Sequence, residues 1–192
     1  MPFAYYSRLS KRDQAIYRQS AQLVQIPLKR VMSVIPHVDA LKAAHANANR
    51  AEIQRQAQGL ADEVLKQLGV CALGVRVLAV RPSSARSELH GLYERTSGQR
   101  ALIRVWMRTA VQKRVVSFRT FVRILMHELC HHLDYELFKL PDSFHTEGFF
   151  KRESHLMRQL CVRSTKKTSQ PLGADYSLPP EPLVPLLIRM GQ

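Results

Sequence analysis

The 192-residue chain contains only three cysteines, Cys71, Cys130 and Cys161, far apart and without a C-x-x-C pair. That excludes a disulfide framework and a cysteine zinc ribbon, and leaves reduced, mostly buried thiols as the expectation. No apolar run approaches the roughly 18 to 20 residues of a membrane span, and "MPFAYYSRLSKRDQ" has no apolar core of a signal peptide. A soluble cytoplasmic protein is expected. Internal repeats are also lacking, and at this length a single domain with a peripheral extension is the natural organisation.

Acidic residues are scarce, 15 against 29 Lys and Arg, for a formal charge of +14. The excess is local: residues 76–123 carry 11 basic and 2 acidic side chains, whereas 124–163 is close to neutral. Such a segment suits a polyanionic partner such as DNA through phosphate contacts. Solvated surface charge is the plain alternative.

The apolar pattern divides the chain. Ser10 with Asp13 marks a helix start, and Ile53, Ala57, Leu60, Val64 and Leu68 at threes and fours predict a long helix from about Asp39 to Leu68, stopped by Gly69. Its Gln-, Asn- and Arg-rich face reads as solvated. "GVRVLAV", "ELHGLYER" and "RALIRVWM" then predict a small sheet of about three strands, the last two joined in a hairpin near Ser97-Gly98. Arg100, Arg104 and Arg108 fall at even spacing there and would form a basic face, the candidate nucleic-acid contact.

Ser117 can cap the helix "FRTFVRILMHELCHHLDYELF", and a last helix is expected over about Thr146 to Arg163. The segment 164–192 holds five of the ten prolines and reads as a linker or arm. The expected division is therefore 1–38 as a helical extension, 39–163 as the α+β domain and 164–192 as a Pro-rich tail.

The chemistry lies in "MHELCHHLDYELFKLPDSFHTEGFF". His127 and His131, four apart on a helix, project from one face and can grip one ion, with Glu128 offset by about 100°. Composition alone gives H-E-x-x-H roughly 0.015 times in such a chain. Chance is a poor explanation.

Catalytic zinc takes three protein ligands. His145, beyond Pro141 and before the last helix, is the leading third candidate, with His155, Glu147 and Glu153 as competitors. Asp134, one turn past His131, suits a hydrogen bond that orients an imidazole better than direct ligation. His132, with Glu136 four residues on, reads as an exposed or supporting pair. Cys130 faces the core. Zinc in such a site acidifies water and polarises a carbonyl, and Glu128 is then placed to take the water's proton and pass it to a leaving amine. Tyr93, Tyr135, Arg152 and His155 are candidate oxyanion donors.

Taken together, "ADEVLKQLG", the strands through "RALIRVWM", "HELCH" and "FHTEGFF" resemble the SprT-like zinc metalloproteases, which include the Spartan-type DNA–protein crosslink proteases. The resemblance covers about 60–161. It implies a single-domain zincin-like fold, with helices on a small three-stranded sheet and the H-E-x-x-H on the active-site helix. It also implies one zinc on His127, His131 and His145, Glu128 as base, and an edge strand that pairs with an extended protein or peptide substrate. Thr146, rather than the Gly frequent in that family, follows His145. Two other readings stand beside the peptidase: a metal-containing nucleic-acid-binding or regulatory protein with little peptidase activity, and a zinc hydrolase of a non-peptide substrate.

Overall fold

The computed structural model describes residues 2–84 and 87–161. The chain is α+β: a 3-10 turn (Ala4–Arg8), helices α1 (Lys11–Gln22), α2 (Val31–Ala46) and α3 (Arg50–Leu68), strands β1 (Gly74–Val80), β2 (Ser83–Ser84), β3 (Ser87–Glu88), β4 (Gly91–Glu94) and β5 (Leu102–Arg108), then helices α4 (Phe118–Glu136) and α5 (Glu147–Cys161). The Pro-rich segment 164–192 lies outside the described residues. Among the described residues no helix is long and apolar enough to cross a membrane.

Capping accounts for most helix starts. Ser10 Oγ accepts from the Asp13 N–H and Ser117 Oγ from the Thr120 N–H, as the sequence predicts. The single long helix expected from Asp39 is instead two. The chain breaks at "ANAN", where Ala48 takes φ +49° and Asn49 caps α3 by accepting from the Glu52 N–H. Asparagine side chains compete with the helix for backbone donors, and here that competition outweighs the apolar periodicity on either side. Helix α2 consequently spans Val31–Ala46 and runs through the expected boundary at 38, while α1 packs on α5. Helices α1 and α2 thus pack against α5 and α3.

The three-stranded sheet is mixed, in the order β1-β5-β4, with β1 parallel and β4 antiparallel to β5; β2 and β3 form a separate two-stranded ribbon. Gly98, at φ +72°, sits in the expected hairpin turn between β4 and β5. Val75, Val77, Tyr93, Ile103, Val105 and Met107 enter the core beneath α3 and α4. Alternation places Arg104 and Arg108 on the opposite face of β5, with Arg76 of β1 in register beside Arg104. Arg100 precedes the strand, and its guanidinium donates to the Leu73 carbonyl at 2.7 Å. The evenly spaced trio is therefore a pair on β5 plus an arginine tied to the hairpin's flank.

The two sheet edges differ. Along β1, Gln54 donates to the Val75 carbonyl and accepts from the Val77 N–H, both at 2.9 Å, and Gln58 accepts from the Val75 N–H at 2.7 Å and donates to the Leu73 carbonyl at 2.9 Å. The polar face of α3, expected to be solvated, is instead a side-chain strand that closes this edge. Capping of an edge in this way blocks pairing with another chain. The other edge, β4, runs beside α4.

Helix α5 approaches α1 at Gly148. A Cβ there would fall 2.3 Å from the Ser20 carbonyl oxygen and 2.6 Å from that of Ala21, both backbone atoms that cannot swing aside. Gly148→Ala is expected to destabilise the fold by about 1 to 3 kcal/mol, the usual range for overpacking. Urea unfolding of the metal-free chain measures it.

Candidate metal centre

Helix α4 is the central element, buried along most of its length and on more than one face, from Phe121 to Tyr135. The loop from Leu137 to Thr146 returns the chain across it. This return brings His145 over His127 and His131: the Nε2 atoms of His127 and His145 are 3.0 Å apart, and those of His145 and His131 are 3.1 Å apart. One ligand atom from each histidine lies within 4.8 Å of the others.

The opposite ring nitrogens define what these Nε2 atoms offer. His127 Nδ1 faces Glu153 Oε2 at 3.0 Å, and a carboxylate only accepts, so Nδ1 carries the proton and Nε2 a lone pair. Ser143 donates its hydroxyl to Asp134 Oδ2 at 2.7 Å, so the 2.7 Å contact between His131 Nδ1 and Ser143 Oγ is a bond donated by the ring. The Nε2 of His131 is then also a lone pair. A single proton on His145 cannot satisfy both neighbours, whereas a cation accepts all three. A tetrahedral ion with bonds of about 2.1 Å separates its ligands by about 3.4 Å, so the existing spacing needs only slight expansion.

Burial favours the neutral imidazole at His131 and His145. Burial holds His131 well below the usual histidine range, reinforced by positive charge on His127 and His145. Burial and His127 push His145 down to about 3. For His127 burial acts downward too, but its hydrogen bond to Glu153 and the negative charges of Glu128 and Glu153 leave it raised overall.

Phe149 closes the centre on one side, its ring centroid 5.0, 4.7 and 5.1 Å from those of His127, His131 and His145. Phe150 stacks on His145 at 5.7 Å. Both rings belong to "EGFF", at the start of α5.

Glu128 is 2% exposed, with Oε2 making no hydrogen bond. Burial raises its carboxyl to about 7, while His127 and the Tyr93 backbone N–H of β4 pull the other way. Strand β4 can come this close because position 91 is glycine: a Cβ would sit 2.4 Å from Glu128 Oε1 and 2.7 Å from Ile124 Cγ2. Sequence reasoning gave Gly91 no role.

Several expectations change. Glu153 is not in the converging set; it holds His127 Nδ1, and Arg123 Nε lies 3.3 Å from its other oxygen. Asp134 acts on His131 through Ser143, a residue that no motif marks, and is itself held by Arg152 at 2.6 Å, both side chains fully buried. Burial pushes the Asp134 carboxyl up to about 6, with Arg152 and Ser143 acting downward.

His132 is neither exposed nor paired with Glu136. It is 2% exposed and donates from Nε2 to the Cys71 carbonyl at 2.8 Å, which leaves Nδ1 to accept from Tyr93 Oη at 3.1 Å. It clamps the β4 edge to α4. Glu136 instead lies near Arg95 and Lys139.

The side-chain oxyanion candidates are engaged elsewhere. Tyr135 Oη donates to Asp142, Tyr93 Oη to His132, Arg152 to Asp134, and His155 Nδ1 accepts from the Ile26 N–H at 3.2 Å. Cys130 is fully buried on the core side, and burial raises its thiol well above the ordinary value. No family model, curated protein or solved structure matches this chain.

Proposed function

We propose that the protein is a zinc-dependent metallopeptidase of the SprT-like zincin type, cleaving protein substrates in the cytoplasm. The observation that carries this reading is the convergence of three histidine Nε2 atoms beside a buried carboxylate, Glu128, next to β4, an edge strand of the sheet. His127, His131 and His145 would hold the ion. Neutral imidazole nitrogens suit zinc among the abundant divalent metals. When bound, zinc supplies Lewis acidity toward a carbonyl and toward water.

The chain's own groups do the rest. Glu128, raised to about 7 and one oxygen free, can take a proton from water at Oε2 and return it to a leaving amine. Glu153 and Ser143 keep the Nδ1 protons in place, so that the Nε2 lone pairs stay available. Strand β4 offers an edge for an extended peptide, and the blocked β1 edge directs pairing to this side. Incubation of the zinc-loaded protein with an unstructured protein substrate tests the reading. Fragments should appear and should be suppressed by a chelator; an intact substrate contradicts the proposal.

Nucleic acid is the second proposed partner, through Arg104 and Arg108 with Arg76 beside them. Arg104 is held 2.7 Å from Glu94 and Arg108 donates to the Lys113 carbonyl, so each has a local partner to exchange for phosphate. Single-stranded DNA affinity should fall steeply with salt, and charge reversal at Arg104 and Arg108 should weaken it and flatten the salt slope. Unchanged binding in the double variant removes the sheet face as the contact.

A further inference from the structure

The segment from Phe3 to Leu23 reads from sequence as an extension, yet it reaches the metal centre along separate lines. Tyr5 Oη donates to the carbonyl of His145 at 2.6 Å. Ser20 Oγ lies 3.1 Å from Thr146 Oγ1, which caps α5 by accepting from the Phe149 N–H at 3.0 Å. The carbonyls of Ser20 and Leu23, where α1 ends, accept from Arg152 Nη1 at 2.8 and 2.6 Å. Through Nη2 the same guanidinium holds Asp134, and through it Ser143 and His131.

Rings add a fourth line. Phe3 meets Phe150 edge-on at 5.9 Å, and Phe150 stacks on His145. Tyr17 Oη accepts from the Phe3 N–H and donates to Glu147 in the first turn of α5.

We infer that residues 3–23 form a positioning arm for the metal centre, so that docking of the arm and affinity for the ion are thermodynamically linked. The inference rests on the three-histidine reading of the site. Two of the three candidate ligands, His131 and His145, are held through the arm. The arm itself has little apolar anchorage: only Ile16, Tyr17 and Ser20 of α1 are buried, and α5 is its main packing partner. An element with so few buried contacts opens at low free energy, and its polar links into the site then decide how firmly it stays. Coupling of this kind is reciprocal: whatever factor the docked arm adds to metal affinity, the bound metal adds to docking.

The test is zinc affinity by chelator competition on the full chain, for the wild type and for Tyr5→Phe, Ser20→Ala and Tyr6→Phe. Tyr6 serves as the control, since its hydroxyl accepts from Arg18 within the arm and its ring packs on Tyr17. Tyr5→Phe and Ser20→Ala should weaken zinc binding about 10-fold, near the lower end of what loss of a ligand-supporting hydrogen bond costs. Tyr6→Phe should bind as the wild type does. The melting temperature of metal-free Tyr5→Phe should match metal-free wild type, and only the increment added by zinc should shrink, a split that a purely structural role does not produce. Hydrogen exchange of the α1 amides should slow when zinc is added.

Equal zinc affinity in wild type, Tyr5→Phe and Ser20→Ala, with α1 exchange indifferent to zinc, overturns the inference while leaving the three-histidine reading intact. A wild-type chain that takes up no zinc overturns that reading, and the inference with it.

Discussion

Replacement of Glu128 by Gln is expected to lower peptide cleavage by about 10²- to 10⁴-fold while leaving metal content at the wild-type level. The substitution keeps shape and removes the negative charge and with it the capacity to accept a proton. Glu128 lies outside the converging set of nitrogens, so the ion should remain. Its environment is tuned for proton transfer: burial raises the carboxyl to about 7, and the Tyr93 N–H of β4 steadies the ionised form. Gly91 keeps that strand within reach, because any side chain there would strike the carboxylate. Rates of fragment formation, read alongside zinc content of the same sample, separate loss of the base from loss of the metal. Cleavage that survives the substitution removes Glu128 from the role.

Arg152→Met is expected to cost about 3 to 5 kcal/mol of folding stability, the range for breaking a buried ion pair by removing one partner. Arg152 and Asp134 are both fully buried, and the guanidinium also satisfies the carbonyls of Ser20 and Leu23. Methionine leaves the Asp134 carboxylate in the interior with only Ser143 as a donor. Removal of both charges in Arg152→Met with Asp134→Leu should recover part of the loss, since no uncompensated charge remains. Denaturant unfolding of the metal-free proteins decides it. A double variant less stable than the single one would mean that Asp134 contributes through its hydrogen bond from Ser143 even without Arg152.

The sequence shows the H-E-x-x-H pair and its helix because ligand spacing and helical period are both local. His145 was within reach of sequence reasoning as well, since Pro141 forces a turn and the chain must return over α4. What sequence spacing does not carry is the layer behind the three histidines. Ser143 is an ordinary serine in a loop until the fold sets it between His131 and Asp134. Glu153 fits the composition of a ligand, and only the position of α5 against α4 turns it toward Nδ1 of His127.

The polar residues of α3 mislead for a related reason. Gln54 and Gln58 look solvated because glutamine on a helix surface usually is, and nothing local reports that an unpaired strand edge lies alongside. His132 is misread similarly: its partners, Cys71 and Tyr93, are 61 and 39 residues away in the chain. The fold class follows from periodicity. The break at Asn47–Asn49, by contrast, depends on capping asparagines overriding an apolar pattern that continues through them.

The central claim is that His127, His131 and His145 hold a zinc ion. Metal analysis of the purified wild type and of His145→Ala tests it most directly. About one zinc per chain in the wild type, lost in His145→Ala with the fold retained by circular dichroism, is the predicted result. A wild type without zinc, or a His145→Ala variant that keeps it, would contradict the three-histidine centre.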